Sequence, residues 1–427
     1  MKLQMEVISR ETIKPSAPTP HHLSRHALSF IDQLAPPAYM PLTLYFRADQ
    51  LVRNRVQISA TLKAALSQIL AIYYPLAGRI QGSSHVDCND EGAHYYEADV
   101  KGSLDEFLSS PDEMELNKFL AHGIVEAVSE PPVAVQANFF DDGGLALSLA
   151  ITHKIGDALS YFMFLKSWAA IARGDEDQIV KPDFNSAEYF PPKDLPAFDD
   201  KGILLKEDNI LKRFIFKASS IKAMREKFGN SSSLEFPKPL TRVEALSVFV
   251  WKRFMASTQV LSPDKLYKVL HLINLRTRTD PPLPPNAFGN IDWGISATAD
   301  MGMDPDTDES FGLLTDMRRS LKEIDSDFVK QIGKGKELME GTAATGEEGK
   351  PIDWFWFSSL CRFPVYDADF GWGEPVWVTT ARLPLRNWAS FFDLKEGDGI
   401  EAWITLARED MVKFEADPEL LHYTTLA

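Results

Sequence analysis

The chain has 427 residues, 44% hydrophobic and 25% charged, the proportions of a soluble globular protein with room for two cores. A formal net charge of −16 argues against nucleic acid and anionic membrane surfaces as partners. No stretch approaches the ~18 apolar residues of a membrane span, and Met1–Pro15 and Thr424–Ala427 carry no targeting signal, so a cytoplasmic protein is expected.

In chain order, 40–48 reads as a buried strand. Residues 56–74 read as an amphipathic helix with Leu62, Leu66, Leu70 and Tyr73 near one face, stopped by Pro75 and the turn at Gly78. The apolar run 145–152 is a second strand. After it, 158–172 reads as a helix with Asp157 at its N-cap and Gly174 as its stop. Residues 174–210 hold Pro182, Pro191, Pro192 and Pro196 among many charges, the best linker candidate. Beyond it, 213–216, 269–275, 354–360, 375–380 and 403–406 read as strands. Residues 219–228, 241–255 and 418–422 read as helices, and 341–350 as a surface loop. Both halves mix helix and strand. The expectation is an α/β fold in two domains, 1–185 and 211–427, joined by a crossover at 186–210.

The chemistry begins at His153. A strand ending at Thr152 delivers it to a strand's C-terminal edge, where α/β proteins bind ligands. There it reads either as a general base or as a core histidine satisfied by a backbone carbonyl. Asp157 reads as a structural N-cap or buried ion-pair partner in preference to a catalytic partner, because the helix starts at Asp157 and leaves His153 outside it. Cys88 and Cys361 form no zinc-type cluster and read as buried thiols. There is no GxSxG elbow, P-loop, GxGxxG or HExxH, so neither a covalent acyl-enzyme nor a metal or nucleotide-cofactor mechanism has support. The run Asp369-Phe370-Gly371-Trp372-Gly373, alone, reads as a turn with a packed indole.

Together, His153-Lys154-Ile155-Gly156-Asp157 and Asp369-Phe370-Gly371-Trp372-Gly373 resemble the two signatures of the plant BAHD acyltransferases. Residues 28–33 (LSFIDQ), Tyr74–Arg79, Asn274-Leu275-Arg276 and Phe288-Gly289-Asn290 also look like the family, and the resemblance runs from about residue 6 to the C-terminus. It is strongest to the branch that holds vinorine synthase, salutaridinol acetyltransferase and deacetylvindoline acetyltransferase beside ester-forming alcohol acyltransferases.

The resemblance implies a chloramphenicol-acetyltransferase-like fold with an active-site channel at the domain interface. It implies transfer of an acyl group, best acetyl, from coenzyme A to a hydroxyl of an alkaloid or terpenoid. The alternatives are an aroyl or longer acyl group passed to a simple alcohol to make an ester and, ranked below it, a non-catalytic homologue that binds a metabolite. It implies His153 as base, no bound cofactor beyond acyl-CoA as co-substrate, and a monomer. Asp157 would pair with Arg276; Asp369 and Gly371 would be structural. Trp372 is a candidate oxyanion donor or coenzyme A-side residue, and Leu360 and Arg362 are candidates for the acceptor pocket.

Overall fold

The computed structural model describes residues 2–51, 53–125, 130–195, 208–229, 239–258, 265–299, 311–334, 350–397 and 399–426. Most of the expected surface loop, 341–349, and residues 196–207 of the expected linker lie outside the described residues.

The strands in chain order are β1 (Met5–Ile13), β2 (Arg25–Ala27), β3 (Tyr39–Phe46), β4 (Arg79–Gln81), β5 (His85–Asp87), β6 (Ala93–Val100), β7 (Val133–Phe140) and β8 (Leu145–Thr152). They continue with β9 (Asn209–Phe216), β10 (Leu266–Asn274), β11 (Asp292–Ala299), β12 (Ile352–Ser359), β13 (Trp377–Thr380), β14 (Trp388–Asp393), β15 (Ile400–Ala407) and β16 (Thr424–Leu426). Five helices matter below: α1 (Phe30–Leu34), α2 (Arg55–Ile72), α3 (Ala158–Arg173), α4 (Ala218–Gly229) and α5 (Arg242–Ser257).

The chain divides into two compact units: Met1–Lys201 with Leu283–Ile291 and Phe363–Leu383, and Gly202–Pro282 with Asp292–Arg362 and Pro384–Ala427. The first unit holds a mixed six-stranded sheet, in the order β1-β6-β7-β8-β3-β13, and a small sheet β2-β5-β4. The second holds a mixed seven-stranded sheet, β11-β10-β12-β14-β15-β9-β16. This differs from a single crossover between 1–185 and 211–427. The DFGWG segment, expected in the C-terminal domain, belongs to the first unit. The reason is strand pairing: β13 runs antiparallel to β3 from Trp377 opposite Tyr45 to Thr380 opposite Leu42. An edge strand is held by its ladder whatever its distance along the chain.

Local expectations translate directly where one signal is strong. α2 begins with a capping box, Asn54 accepting from the Gln57 amide while Gln57 reaches back to Asn54. It buries Ile58, Leu62, Leu66, Ile69 and Leu70 at helical spacing. Each such burial is worth roughly 1.5–3 kcal/mol. α3 packs against it, with Trp168 fully buried and its indole donating to the Leu62 carbonyl at 3.1 Å. α3 stops at Gly174, whose φ of +81° suits glycine. In the second unit α5 opens on the Thr241/Glu244 capping box and buries Leu246, Val250, Trp251 and Phe254 in a core with Phe355, Phe357 and Ile404.

Strand β7 was invisible in the sequence because Gln136 and Asn138 interrupt its apolar pattern. Both are buried, and the Asn138 amide donates to the Phe119, Gln136 and Ala146 carbonyls at 3.1, 3.2 and 2.9 Å. Satisfied in this way, a polar side chain sits in a core without the usual desolvation penalty.

Candidate active site

His153 follows the last residue of β8. Its amide donates to the Ala38 carbonyl, and the Ile155 amide closes a turn on the Thr152 carbonyl. Asp157 then caps α3, its Oδ1 accepting from the Ser160 amide at 3.0 Å. Gly156 is required by packing and not by a special φ: a Cβ there would lie 2.8 Å from the Ser160 Cβ.

A segment from far along the chain completes the first unit's site. Asp183 and residues 286–288 pair through two backbone bonds, and Phe288 is buried against Tyr73 and Phe184. Gly289 follows with a φ of +136°, and Asn290 then lies fully buried beside the imidazole.

The hydrogen bonds at Asn290 fix its orientation. Its Nδ2 faces two acceptors, Asp32 Oδ1 at 2.8 Å and the His153 carbonyl at 2.7 Å. The amide nitrogen must therefore point that way, and Oδ1 is left facing His153 Nδ1 at 2.9 Å. An amide oxygen only accepts, so Nδ1 carries a proton, and in the neutral ring Nε2 keeps the lone pair. The ring is half-buried, as a base that meets a substrate requires.

Asp32 anchors this arrangement from α1. One carboxylate oxygen closes a capping box with Ser29; the other accepts from both the Asn290 amide and its side chain, at 2.7 and 2.8 Å. Lys154 lies buried alongside, donating to the Gln33 and Ala35 carbonyls at 2.6 and 2.9 Å. Burial pulls its pKa down to about 8, against the opposing pull of Asp32. The residue reading gave Asp32, Lys154 and Asn290 no role. The signal present was the LSFIDQ and Phe288-Gly289-Asn290 stretches.

Asp157 serves the backbone around the site. Its Oδ2 accepts from the Ile291 amide at 3.1 Å and its backbone amide donates to the Gly289 carbonyl. It holds the segment that carries Asn290.

Asp369 gathers the DFGWG turn: its Oδ1 accepts from the amides of Gly371, Trp372 and Gly373 at 2.8, 3.1 and 2.8 Å. Its carbonyl accepts from Arg173 of α3 at 2.8 Å. Gly371 and Gly373 have φ of +98° and +95°, open to glycine at little cost. Phe370 is buried edge-on to Trp168, and Trp372 packs on Phe370 and Phe46. This corrects the oxyanion-donor expectation for Trp372. Phe46 is at one end of β3; Tyr39, which pairs with Thr152 next to His153, is at the other. Seven residues of strand span about 23 Å, too far for the indole to reach an oxyanion at His153.

The remaining candidates belong to the second unit. Arg276 is buried in a short turn after β10, with Nη1 3.4 Å from Asn274 Oδ1. Leu360 follows β12, its amide donating to the Phe391 carbonyl at 2.8 Å. Arg362 is exposed at a φ of +70°, its amide held by Asp393, which also pairs with Arg242. The cysteines are free; Cys88 is buried but Cys361 only half-buried, a small departure from expectation. Burial pushes their pKa values up to about 12 and about 11, so neither is an activated nucleophile.

Comparison with known proteins decides the family. The Transferase family model matches residues 3–421. The chain is a BAHD acyltransferase. It is 36% identical to stemmadenine O-acetyltransferase of Catharanthus roseus over 98% of this chain and 97% of that one. It is 33% identical to salutaridinol 7-O-acetyltransferase of Papaver somniferum over 96% of each. The crystal structure of vinorine synthase matches with a TM-score of 0.83 at 34% identity over 99% of both chains. The two-domain, chloramphenicol-acetyltransferase-like architecture of this BAHD enzyme is thereby established, and with it acyl-CoA as co-substrate. No helix among the described residues is long and apolar enough to cross a membrane.

Proposed function

We propose that this BAHD enzyme acetylates a hydroxyl of an alkaloid or terpenoid with acetyl-CoA, His153 acting as general base. The observation that carries the mechanism is the Asn290–His153 bond, which leaves the Nε2 lone pair free. Nε2 takes the acceptor's hydroxyl proton as the oxygen attacks the thioester carbonyl. The tetrahedral oxyanion collapses, the C–S bond breaks, and the imidazolium returns the proton to the thiolate. Two thiols with raised pKa values argue for this direct route over an acyl-enzyme. Acetyl as the donor's acyl group, and an alkaloid or terpenoid acceptor, are supported by relatives named for O-acetylation of stemmadenine and salutaridinol. The charge of −16 favours encounter with a basic or neutral acceptor.

The enzyme works as a cytoplasmic monomer in this reading. Asp157 forms an ion pair with Arg276, Trp372 stands on the coenzyme A side, and Leu360 and Arg362 shape the acceptor pocket. A double-mutant cycle on Asp157→Ala and Arg276→Ala tests the pair. A coupling within about 0.5 kcal/mol of zero would remove it.

The deciding experiment measures thiol release from acetyl-, malonyl-, benzoyl- and coumaroyl-CoA against a panel of alkaloid, terpenoid and simple alcohols. Acetyl-CoA should turn over fastest with an alkaloid or terpenoid alcohol, and His153→Ala should lose roughly 10²–10⁴-fold while staying folded. A folded His153→Ala enzyme as active as wild type would overturn the mechanism. Preference for an aroyl donor and a simple alcohol would overturn the substrate.

A further inference from the structure

His94, His122 and Glu130 come from three separate stretches of the first unit and converge on one point. His94 lies near the start of β6, His122 in the turn before β7, and Glu130 three residues ahead of β7. His94 Nδ1 is 2.8 Å from His122 Nε2; Glu130 Oε2 is 3.4 Å from the first and 3.6 Å from the second. All three candidate ligand atoms lie within 4.8 Å of one another.

Two imidazole nitrogens and one carboxylate oxygen are the ligand set of an open divalent transition-metal site, zinc and iron(II) among them. A tetrahedral ion with bonds of about 2.0–2.2 Å holds its ligands about 3.3–3.5 Å apart. Both carboxylate separations are close to that, and the two imidazoles need to open by about half an ångström. The two facing nitrogens lie at hydrogen-bond distance, and a metal between them requires both to present a lone pair. The rings are also oriented: His94 stacks on Tyr96, and His122 on Tyr39 at 6.1 Å between centroids.

We propose that His94, His122 and Glu130 form a divalent-metal site that staples the end of the first unit's sheet from which His153 emerges. The connection is short. Directly after Glu130, the Pro131 carbonyl accepts from the Tyr39 hydroxyl at 2.6 Å, and the Pro132 carbonyl from the amide of Thr152 at 2.9 Å. Thr152 precedes the base. A metal here takes no part in acyl transfer; it holds the strand ends that position the site. The proposal does not rest on the assigned substrate.

The test uses the untagged full chain, with ZnCl2 and CoCl2 as probes. Isothermal titration should give one zinc per chain, and cobalt should show the visible d–d absorption of a tetrahedral N2O site. Glu130→Gln and His94→Gln should each weaken zinc binding at least about tenfold. Zinc should raise the melting temperature of wild type and not of the variants. Glu130→Gln keeps the side chain's size at a partly exposed position, so it separates loss of a ligand from misfolding. Failure of wild type to take up one equivalent of either metal at micromolar concentration would overturn the proposal. So would undiminished binding by both variants, which would assign the metal to exposed histidines such as His21 and His22.

Discussion

Asn290 sets the state of His153 through what an amide can donate and accept. With Asp32 and the His153 carbonyl both claiming its nitrogen, the imidazole meets an oxygen and holds its proton on Nδ1. Asn290→Ala should therefore lower kcat by roughly tenfold or more, since an unheld ring samples the wrong tautomer and orientation. The KM for acyl-CoA should be unchanged. The same substitution strips two donors from Asp32 Oδ1, one by deletion and one by loosening the backbone, and should cost about 1–3 kcal/mol of stability. Steady-state kinetics and urea denaturation on the same preparation read both effects. A variant with full kcat would show that Asn290 does not govern the base.

Elements bring these residues together by backbone geometry that few side chains tolerate. The segment carrying Asn290 turns at Gly289, where a Cβ would lie 2.7 Å from the Ser186 Cβ at a φ of +136°. Gly289→Ala should destabilise the first unit by about 1–3 kcal/mol and reduce kcat more than the stability loss alone explains, because the strain is released next to Asn290. Gly156→Ala, which crowds Ser160 at ordinary φ, should mainly lower stability. The second motif is held by one carboxylate oxygen serving three amides. Asp369→Ala should cost about 2–4 kcal/mol, and Asp369→Asn, which keeps an acceptor, less than half of that. Chemical denaturation of the pair measures the difference; equal losses would show that the carboxylate's acceptor role is not what holds the turn.

Across the whole molecule, acid stability depends on a buried histidine of the second unit. His271 on β10 stacks on Phe357 in the second unit's core, 4.7 Å between ring centroids, and its Nε2 is buried with no partner among the described residues. Burial pulls its pKa down to about 4, against the opposing pull of Glu244. The unfolded chain takes up this proton near pH 6.5, the fold only near 4. Stability is therefore full above about pH 6.5 and falls as the pH drops through that window, by up to about 3 kcal/mol. His271→Leu should flatten this part of the profile. Urea denaturation at pH 7 and pH 5 checks it: wild type should lose more stability between them than the variant.

Features whose physics is local were legible in the chain. Helix faces at Leu62/Leu66 and Leu246/Val250, the caps at Asp157 and Gly174, and the strand leading to His153 follow from periodicity and capping, which involve neighbours within a few residues. The two motifs carried the family because each is a short backbone device readable in five letters. Only the tertiary structure decided which side chain holds the imidazole, which unit DFGWG joins, and how far Trp372 stands from the base. Asn290 lies 137 residues from His153 and Asp32 258 from Asn290. Hydrogen bonds across such separations leave no periodic trace in the chain, because they depend on where the strands pair and not on what flanks them.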